Sequence, residues 1–235
     1  MYSLLLKFKA PLQAWGAESR YKTRSTTNEP TKSGVIGLVA AALGRSREEP
    51  IDDLAQLTFA VRTDHPGTLL RDYHTARNWF DSREKNSQLS TRYYLSDAVF
   101  LVALSSPDKN HLKEIEAALR RPVYPLYLGR RVCPANYDLV LGIVDGNGED
   151  ALRKKEWLAP DWVKKQLPQK VFLPISRDAQ PSESADTLRD IPVSFNPEHR
   201  QYNLRSVYRA EPMAVQNPAG RQSTDIDFMK EVREA

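Results

Sequence analysis

Alternation of apolar and polar side chains predicts strands in the first part of the chain. From Tyr2 to Lys9 apolar residues recur at every second position, which is the period of a strand with one well-buried face. Residues 58–64 and 138–144 follow the same pattern, and 93–104 form a long segment that is almost continuously apolar from 98 onwards. We therefore expect four strands here, with 93–104 as a single long one.

Two segments between these strands have the pattern of helices. Residues 35–43 are apolar or small on every face, which is typical of a helix inside a domain, and Thr31 or Ser33 can cap its first turn. A second helix is predicted after Ser106 and Pro107, a capping residue followed by the proline that suits the first helical position. The resulting order is strand, helix, strand, insertion, strand, helix, strand.

This order predicts an α+β fold, namely a ferredoxin-like (RRM-like) βαββαβ domain over residues 1–148 with an insertion at about 65–92. Residues 149–216 are richer in proline and less periodic. Short strands at 171–173, 191–195 and 202–208, with a polar loop at 176–186, predict a β-rich C-terminal extension packed on the domain. The tail, 217–235, is expected to be disordered.

Composition narrows the partner and excludes several site types. The 34 basic and 30 acidic residues give a net charge of only +4, so an anionic partner must be met by local clusters. A single cysteine excludes a disulfide framework and cysteine-rich zinc sites, and the four histidines lack metal-ligand spacing. No apolar run is long enough to span a bilayer, and the N-terminus lacks a signal-peptide pattern. We expect a cytoplasmic protein without metal, cofactor or membrane contact.

The start of the first helix is one candidate anion site. The first N–H groups of a helix lack intrahelical partners, and Lys32, Ser33 and Gly34 lie where a phosphate could meet them and the helix dipole. Lysine and serine precede the glycine, which is the wrong order for a nucleotide-hydrolysing P-loop. The segment therefore predicts contact with backbone phosphates, and an ordinary capped core helix stays open as the alternative.

The insertion and two later segments add basic and aromatic residues. Between 65 and 92 five basic residues face three acidic ones, and aromatic side chains lie among them, a mixture that suits single-stranded nucleic acid. The segment 120–134 carries four arginines, among them Arg130 and Arg131, with no acidic residue from 119 to 137, and Gly129 allows close approach of the backbone. Residues 200–210 form a second acid-free stretch. Together these signals favour nucleic acid over a solvated surface.

An enzyme and a protein-binding module are the alternatives. Tyr73 and His74 could cleave RNA without metal by activating a ribose 2′-hydroxyl. A single histidine without a partner at a diagnostic spacing is weak evidence, so no catalytic residue is assigned. A protein-interaction module of the same fold would not bind RNA at all.

Four segments resemble the CasD family, the handle-binding subunits of the type I-E CRISPR interference complex, Cascade. They are Pro11-Leu-Gln-Ala-Trp-Gly16, Pro30-Thr-Lys-Ser-Gly-Val-Ile-Gly37, Leu70-Arg-Asp-Tyr-His-Thr75 and Tyr124-Pro-Leu-Tyr-Leu-Gly-Arg-Arg-Val-Cys-Pro134. The resemblance implies a ferredoxin-like domain whose insertion at 65–92 is a β-hairpin thumb. It also implies a subunit that caps the five-prime handle of the CRISPR RNA, contacts the large subunit and the adjoining backbone subunit, and meets foreign DNA only within the complex.

The resemblance further implies a non-catalytic role and a set of RNA contacts. Type I-C relatives cleave precursor RNA themselves, whereas type I-E members leave processing to a separate endonuclease, and the motifs match the type I-E form better. The contacts it implies are Trp15, which we expect to be exposed in a turn, Lys32, Ser33, Tyr73, His74, Arg130 and Arg131. Placement of charge adds Arg24, Arg92 and Arg205.

Overall fold

The computed structural model describes residues 1–16, 19–20, 23–77 and 87–221, and these form two sheets with five helices. The strands are β1 (Tyr2–Lys9), β2 (Leu12–Gln13), β3 (Ser19–Arg20), β4 (Thr23–Arg24), β5 (Thr58–His65), β6 (Thr68–Arg77), β7 (Ser87–Ser96), β8 (Val99–Ser106), β9 (Val140–Asp145), β10 (Lys170–Asp178), β11 (Asp186–Ser194) and β12 (Gln201–Gln216). The helices are α1 (Lys32–Ala42), α2 (Asp52–Ala55), α3 (Lys109–Arg120), α4 (Gly148–Lys154) and α5 (Asp161–Gln166).

The main sheet has seven strands in the order β11-β12-β10-β5-β8-β1-β9, and every neighbouring pair is antiparallel. Its four strands β5, β8, β1 and β9 are those predicted from periodicity, with α1 connecting β1 to β5 and α3 connecting β8 to β9. The first predicted strand matches β1 residue for residue. The fold is therefore a mixed α and β structure built mostly on antiparallel pairing.

The two faces of the main sheet are both covered. Leu4, Leu6 and Phe8 point to one face, where α1 and α3 cover them, while Leu5 points to the other, where Leu152 of α4 packs. Because α1 is apolar on nearly every side, it is buried along its length and its N-terminus is held in a fixed position. None of the helices within the described ranges is both long and apolar enough to cross a bilayer.

The segment predicted as one strand over 93–104 is two strands in two sheets. Asp97 has a φ of 57°, a left-handed conformation that breaks the extended chain between Ser96 and Val99. The apolar run therefore divides: its second part becomes the central strand β8, and its first part leaves the main sheet as β7. The start of the following helix is also later than predicted, because Asp108, and not Ser106, caps α3 through Asn110 N–H.

The insertion forms a long hairpin. β6 and β7 pair over ten residues, from Thr68 opposite Ser96 to Arg77 opposite Ser87, and the tip at 78–86 lies outside the described residues. The other edge of β7 pairs with β2 and, in parallel, with the two-residue strand β4. The hairpin is thus joined at its root to the segment that leads from β1 to α1.

The C-terminal extension continues the main sheet. β10 pairs with β5 at 175–177, and β12 and β11 follow it outwards. The predicted polar loop at 176–186 is shorter than expected because β10 extends to Asp178 and β11 begins at Asp186. Asn217 Nδ2 donates to the carbonyls of Lys164 and Pro168, and residues 222–235 of the tail lie outside the described residues. Disorder of the tail stays a prediction.

A buried ion pair joins α4 to the sheet. Arg62 and Asp64 are both fully buried on β5, 2.6 Å apart from Nε to Oδ1. The same guanidinium donates to the carbonyl oxygen of Leu152 in the last turn of α4, and to those of Lys155 and Glu156, which follow the helix. With two hydrogen bonds to the carboxylate of Asp64 and three to these carbonyls, the guanidinium of Arg62 is used for internal structure.

Candidate nucleic-acid interface

The N-terminus of α1 is occupied by the protein itself. Thr31 caps the helix through Gly34 N–H at 3.3 Å, and Asp190 of β11 accepts a hydrogen bond from Lys32 N–H at 2.9 Å. A carboxylate at this position satisfies the same orphan donor and dipole that a phosphate would. The predicted phosphate seat at Lys32 is therefore already filled by a side chain of the C-terminal extension.

Two of the predicted RNA contacts, Lys32 and Arg205, point inwards. Arg205 is 5% exposed, holds both carboxylate oxygens of Asp190 at 2.7 and 2.8 Å, and reaches Asp178 at 3.0 Å. Lys32 Nζ lies 3.2 Å from the second oxygen of Asp178. Burial lowers the pKa of Arg205, but its hydrogen bonds to Asp190 and Asp178 and their negative charges raise it by more. The pKa of Arg205 therefore lies above its ordinary value. In this four-residue clasp both cations are paired with carboxylates, and contact of either with RNA stays a prediction.

Trp15 is fully buried, and the expectation that it is exposed was wrong. Its ring stacks on Phe8 at 5.2 Å between centroids, and its Nε1 donates to Gln13. Gly34 lies so close that a Cβ there would stand 2.9 Å from the indole. The tryptophan therefore fixes the start of α1 against β1.

A tight loop presents the predicted arginine pair. Tyr127 and Pro134 form an isolated bridge, and Leu128 N–H donates to the carbonyl of the buried Cys133 at 2.7 Å. Burial raises the pKa of the Cys133 thiol, so it stays a neutral core group. The turn between these residues directs Arg130 towards the root of the hairpin, where its guanidinium lies 4.7 Å from the ring centre of Tyr94, and leaves Arg131 exposed.

The loop, the start of α1 and the C-terminal extension enclose two adjoining clefts of about 220 and 640 Å³. Ser33, Gly34, Gly129 and Tyr202 line both clefts. We call the two together the arginine groove, because their linings include Arg24, Arg45, Arg47, Arg130, Arg131 and Arg200. Within the described part of the chain no acidic residue lines either cleft.

Rings add stacking surfaces to the larger cleft. Tyr124, Tyr127, Phe195 and Tyr202 contribute to its walls. Arginines that alternate with flat side chains can neutralise phosphates and stack on unpaired bases at the same time. The arginine groove therefore has the composition expected of a site for single-stranded nucleic acid.

Sequence comparison identifies the family of this chain. A family model described as CRISPR-associated protein (Cas_Cas5) matches residues 3–208. The chain belongs to the Cas5 family. It is 39% identical over 156 residues to the Escherichia coli (strain K12) protein named CRISPR system Cascade subunit CasD, covering 59% of this chain and 70% of that protein. The family predicted from four short motifs is confirmed.

Solved structures extend the similarity over the whole fold. A chain from a structure named CRISPR RNA-guided surveillance complex is 28% identical, with a TM-score of 0.77 over 98% of each chain. A second, named Crystal structure of Cas protein, is 33% identical, with a TM-score of 0.69 over 93% of this chain and 97% of that one. The C-terminal extension that forms one wall of the groove thus belongs to the shared fold.

The groove of this Cas5 chain gathers only some of the predicted residues. The predicted residues that line it are Trp15, Arg24, Ser33, Arg130 and Arg131. Arg92 lies on β7, between Arg24 on β4 and Asp72 on β6. These three residues form a row that leads from the groove along one face of the hairpin. Whether any of these residues touches RNA stays a prediction.

Tyr73 and His74 lie on the hairpin, away from the groove lining. They are neighbours in β6, so their side chains point to opposite faces of the sheet. Tyr73 is 60% exposed, and His74 Nδ1 lies 3.3 Å from Asp72 Oδ2. Among the described residues no group of His, Cys, Asp or Glu side chains is arranged as a metal site.

Three groove arginines, Arg45, Arg47 and Arg200, were missed as candidates. Arg45 and Arg47 precede Glu48 and Glu49, so the local charge is balanced in the sequence. Arg45 also binds Asp53 through both of its terminal nitrogens, and this hydrogen bonding lowers the pKa of Asp53. The fold brings Arg47 to the same cleft as Arg131 and Arg200, whose described lining includes neither Glu48 nor Glu49.

Proposed function

We propose that this Cas5 protein is a non-catalytic RNA-binding subunit of a type I-E Cascade complex, and that the arginine groove holds the five-prime handle of the CRISPR RNA. The observation that carries the proposal is that three stretches far apart in sequence, at 24–47, 124–131 and 195–202, bring arginines and rings to one groove. Among the described residues, no acidic side chain lines this groove. The name of the 39% identical Escherichia coli relative, a Cascade subunit, supports the assignment to that type of complex.

The architecture supports two finer parts of the proposal. The strand order β9-β1-β8-β5, with α1 and α3 as crossovers, supports a ferredoxin-like unit, and the ten-residue pairing of β6 with β7 supports a hairpin thumb. Partners of this cytoplasmic subunit are then the handle RNA, the large subunit and the adjoining backbone subunit. Foreign DNA is met only in the assembled complex.

A scaffold role is favoured over RNA cleavage by the arrangement around His74. Metal-independent cleavage needs an acid and a base on the same scissile bond. Tyr73 and His74 project from opposite faces of β6, and the described neighbour of the imidazole is Asp72 on its own strand. The residues proposed for acid–base chemistry thus do not converge on one point.

The proposal is tested with full-length purified protein and labelled CRISPR repeat RNA in a salt series without metal. The groove variant Arg131→Ala with Arg200→Ala removes two exposed charges, and we expect weaker binding. Each lost phosphate contact should reduce the magnitude of the salt slope by about 0.7. The same gels report cleavage, and the RNA should stay intact.

A matched control loses two exposed charges elsewhere. Arg209 on β12 is 63% exposed at its side chain, and Lys165 on α5 is exposed; neither lines the groove. Arg209→Ala with Lys165→Ala should leave the salt slope unchanged. Equal losses in the two double variants would show non-specific binding and contradict the groove. Discrete cleavage that disappears in His74→Ala would make the protein a processing nuclease.

A further inference from the structure

The two adjacent arginines of the loop have different environments, although the sequence makes them equivalent. Arg131 is exposed and lines the larger cleft. Arg130 is half-buried, and its Nη1 donates to the carbonyl of Tyr93 at 3.0 Å while its Nη2 donates to the carbonyls of Arg24 and Ser25 at 2.8 and 3.1 Å. All three of these acceptors are backbone oxygens, and none is a carboxylate.

Arg130 thereby joins three parts of the chain. Its own loop is closed around it, since Cys133 N–H donates to the Arg130 carbonyl at 2.8 Å. Tyr93 and Tyr94 belong to β7 at the root of the hairpin, and the guanidinium covers the Tyr94 ring. Arg24 ends β4. One planar group thus connects the loop, the hairpin and the strand that delivers Arg24 to the groove.

The segment around Arg24 is held by short ladders. β4 contains two residues and pairs with β7 through Thr23–Thr91 and Arg24–Arg92, and with β3 through Arg20–Thr23 and Ser19–Arg24. Ladders of this length do not fix a strand by themselves. The two hydrogen bonds from Arg130 to the carbonyls of Arg24 and Ser25 come from a charged donor and add to this pairing.

We infer that Arg130 is a positioning residue of the proposed RNA site: its guanidinium locks β4 and the hairpin root to the loop, so that Arg24 lines the groove, as Arg131 does, and Arg92 is held next to Arg24 on β7. The inference rests on the proposed function of the groove. The fork of Arg130 is used on carbonyl oxygens, so its contribution to RNA binding comes through Arg24 and Arg92, whereas Arg131 contributes its own charge.

Lysine substitutions separate the two roles because lysine keeps the charge and loses the planar fork. Arg130→Lys cannot reach three carbonyls and cover a ring at once, and we expect it to weaken handle RNA binding about tenfold. Its salt slope should also become smaller although no charge is removed, because Arg24 and Arg92 lose phosphate contacts. Arg131→Lys should bind nearly as well as the wild type, whereas Arg131→Ala should bind less tightly and with a smaller slope. Tyr94→Leu removes the ring under the guanidinium and should reproduce part of the Arg130→Lys loss.

Hydrogen exchange without RNA gives an independent readout. In Arg130→Lys the amides of 23–26 and 91–95 should exchange faster, with the rest of the chain unchanged. Asp108→Ala serves as the stability control, because it removes the cap of α3 without altering the groove. It should lower the melting temperature and leave RNA affinity intact.

Two results would overturn the inference: wild-type RNA affinity in Arg130→Lys, or exchange at 23–26 and 91–95 that does not change. A loss of affinity in Asp108→Ala equal to that in Arg130→Lys would also overturn it, since the effect would then be general destabilisation. Failure of the wild-type protein to bind handle RNA would instead refute the proposed function, while the exchange result would still report whether Arg130 holds β4.

Discussion

The clasp under β11 and the arginine groove use the same residue type in opposite ways. Arg205 is 5% exposed and holds Asp190 and Asp178, whereas Arg131 and Arg200 are exposed and no carboxylate in the described ranges lines their cleft. The arginines of the acid-free segments 120–134 and 200–210 look alike in the sequence. The difference shows that the acids decisive for an arginine are those that the fold brings to it.

Each environment suits one function. A buried arginine with two carboxylates has its charge compensated, so it fixes structure and has little attraction left for phosphate. An exposed arginine without a carboxylate gains little stability from folding but is available to neutralise a phosphate. In this chain the clasp also holds the wall at 195–202 against α1, because Asp190 bonds Lys32 N–H. The structural arginine, Arg205, thus supports the groove arginines that we propose to bind RNA.

The largest effect is expected at the clasp. Arg205→Met leaves Asp190 and Asp178 buried without their main cation and should lower the free energy of unfolding by about 3–5 kcal/mol. Arg209→Met is the matched control, since it breaks an exposed pair with Asp186 and should cost at most about 1 kcal/mol. Chemical denaturation measures both. Equal losses would remove the distinction between inward and outward arginines.

A smaller effect on stability, but a specific one on binding, is expected at Gly129. Its φ is +91°, and a Cβ there would stand 1.7 Å from the carbonyl oxygen of Ala14. Gly129→Ala should move the arginine loop away from Ala14, which follows β2, and weaken binding of handle RNA. Gly146→Ala has a φ of +121° with nothing near its Cβ, so it carries the strain of about 1–2 kcal/mol without the clash. Similar RNA affinities in the two variants would contradict the assigned role of the loop.

The smallest effect is a pH dependence at a third arginine, Arg177. Its hydrogen bonds lower the pKa of Glu183 to about 2 from 4.5. Because the folded-state pKa is depressed, the stabilisation is complete above pH 4.5 and is lost as the pH falls towards 2. Glu183→Gln should therefore flatten the stability curve in this range and leave RNA affinity at neutral pH unchanged. An unaltered acid limb of the curve would refute this pairing.

Local pattern was enough for much of the fold. β1 and α1 were predicted within a residue or two, because periodicity and the Thr31 cap are local signals. The break at Asp97 was missed, since both halves of 93–104 are apolar and only the left-handed residue between them separates the sheets. The short helices α4 and α5 have too few turns to show a clear helical period.

The site depended more on contacts that are distant in sequence. Lys32 and Arg205 were assigned to RNA because Asp178 and Asp190, their partners, lie elsewhere in the chain, Asp178 146 residues from Lys32. Arg47 was missed for the converse reason, because its neighbours in sequence are acidic, whereas the cleft that it lines has no acidic residue within the described ranges. Charge density along a sequence therefore points to the loop at Arg131, but it does not show which arginines the fold pairs with carboxylates.

Photocrosslinking tests the central claim most directly. Handle RNA with 4-thiouridine at successive positions would be bound to the full-length protein, irradiated, and mapped to peptides by mass spectrometry. We expect crosslinks on the rings of the groove, Tyr124, Tyr127, Phe195 and Tyr202, and their loss in Arg131→Ala with Arg200→Ala. Crosslinks confined to surfaces away from these four residues, with the same yield in the double variant, would contradict the assignment of the arginine groove to RNA.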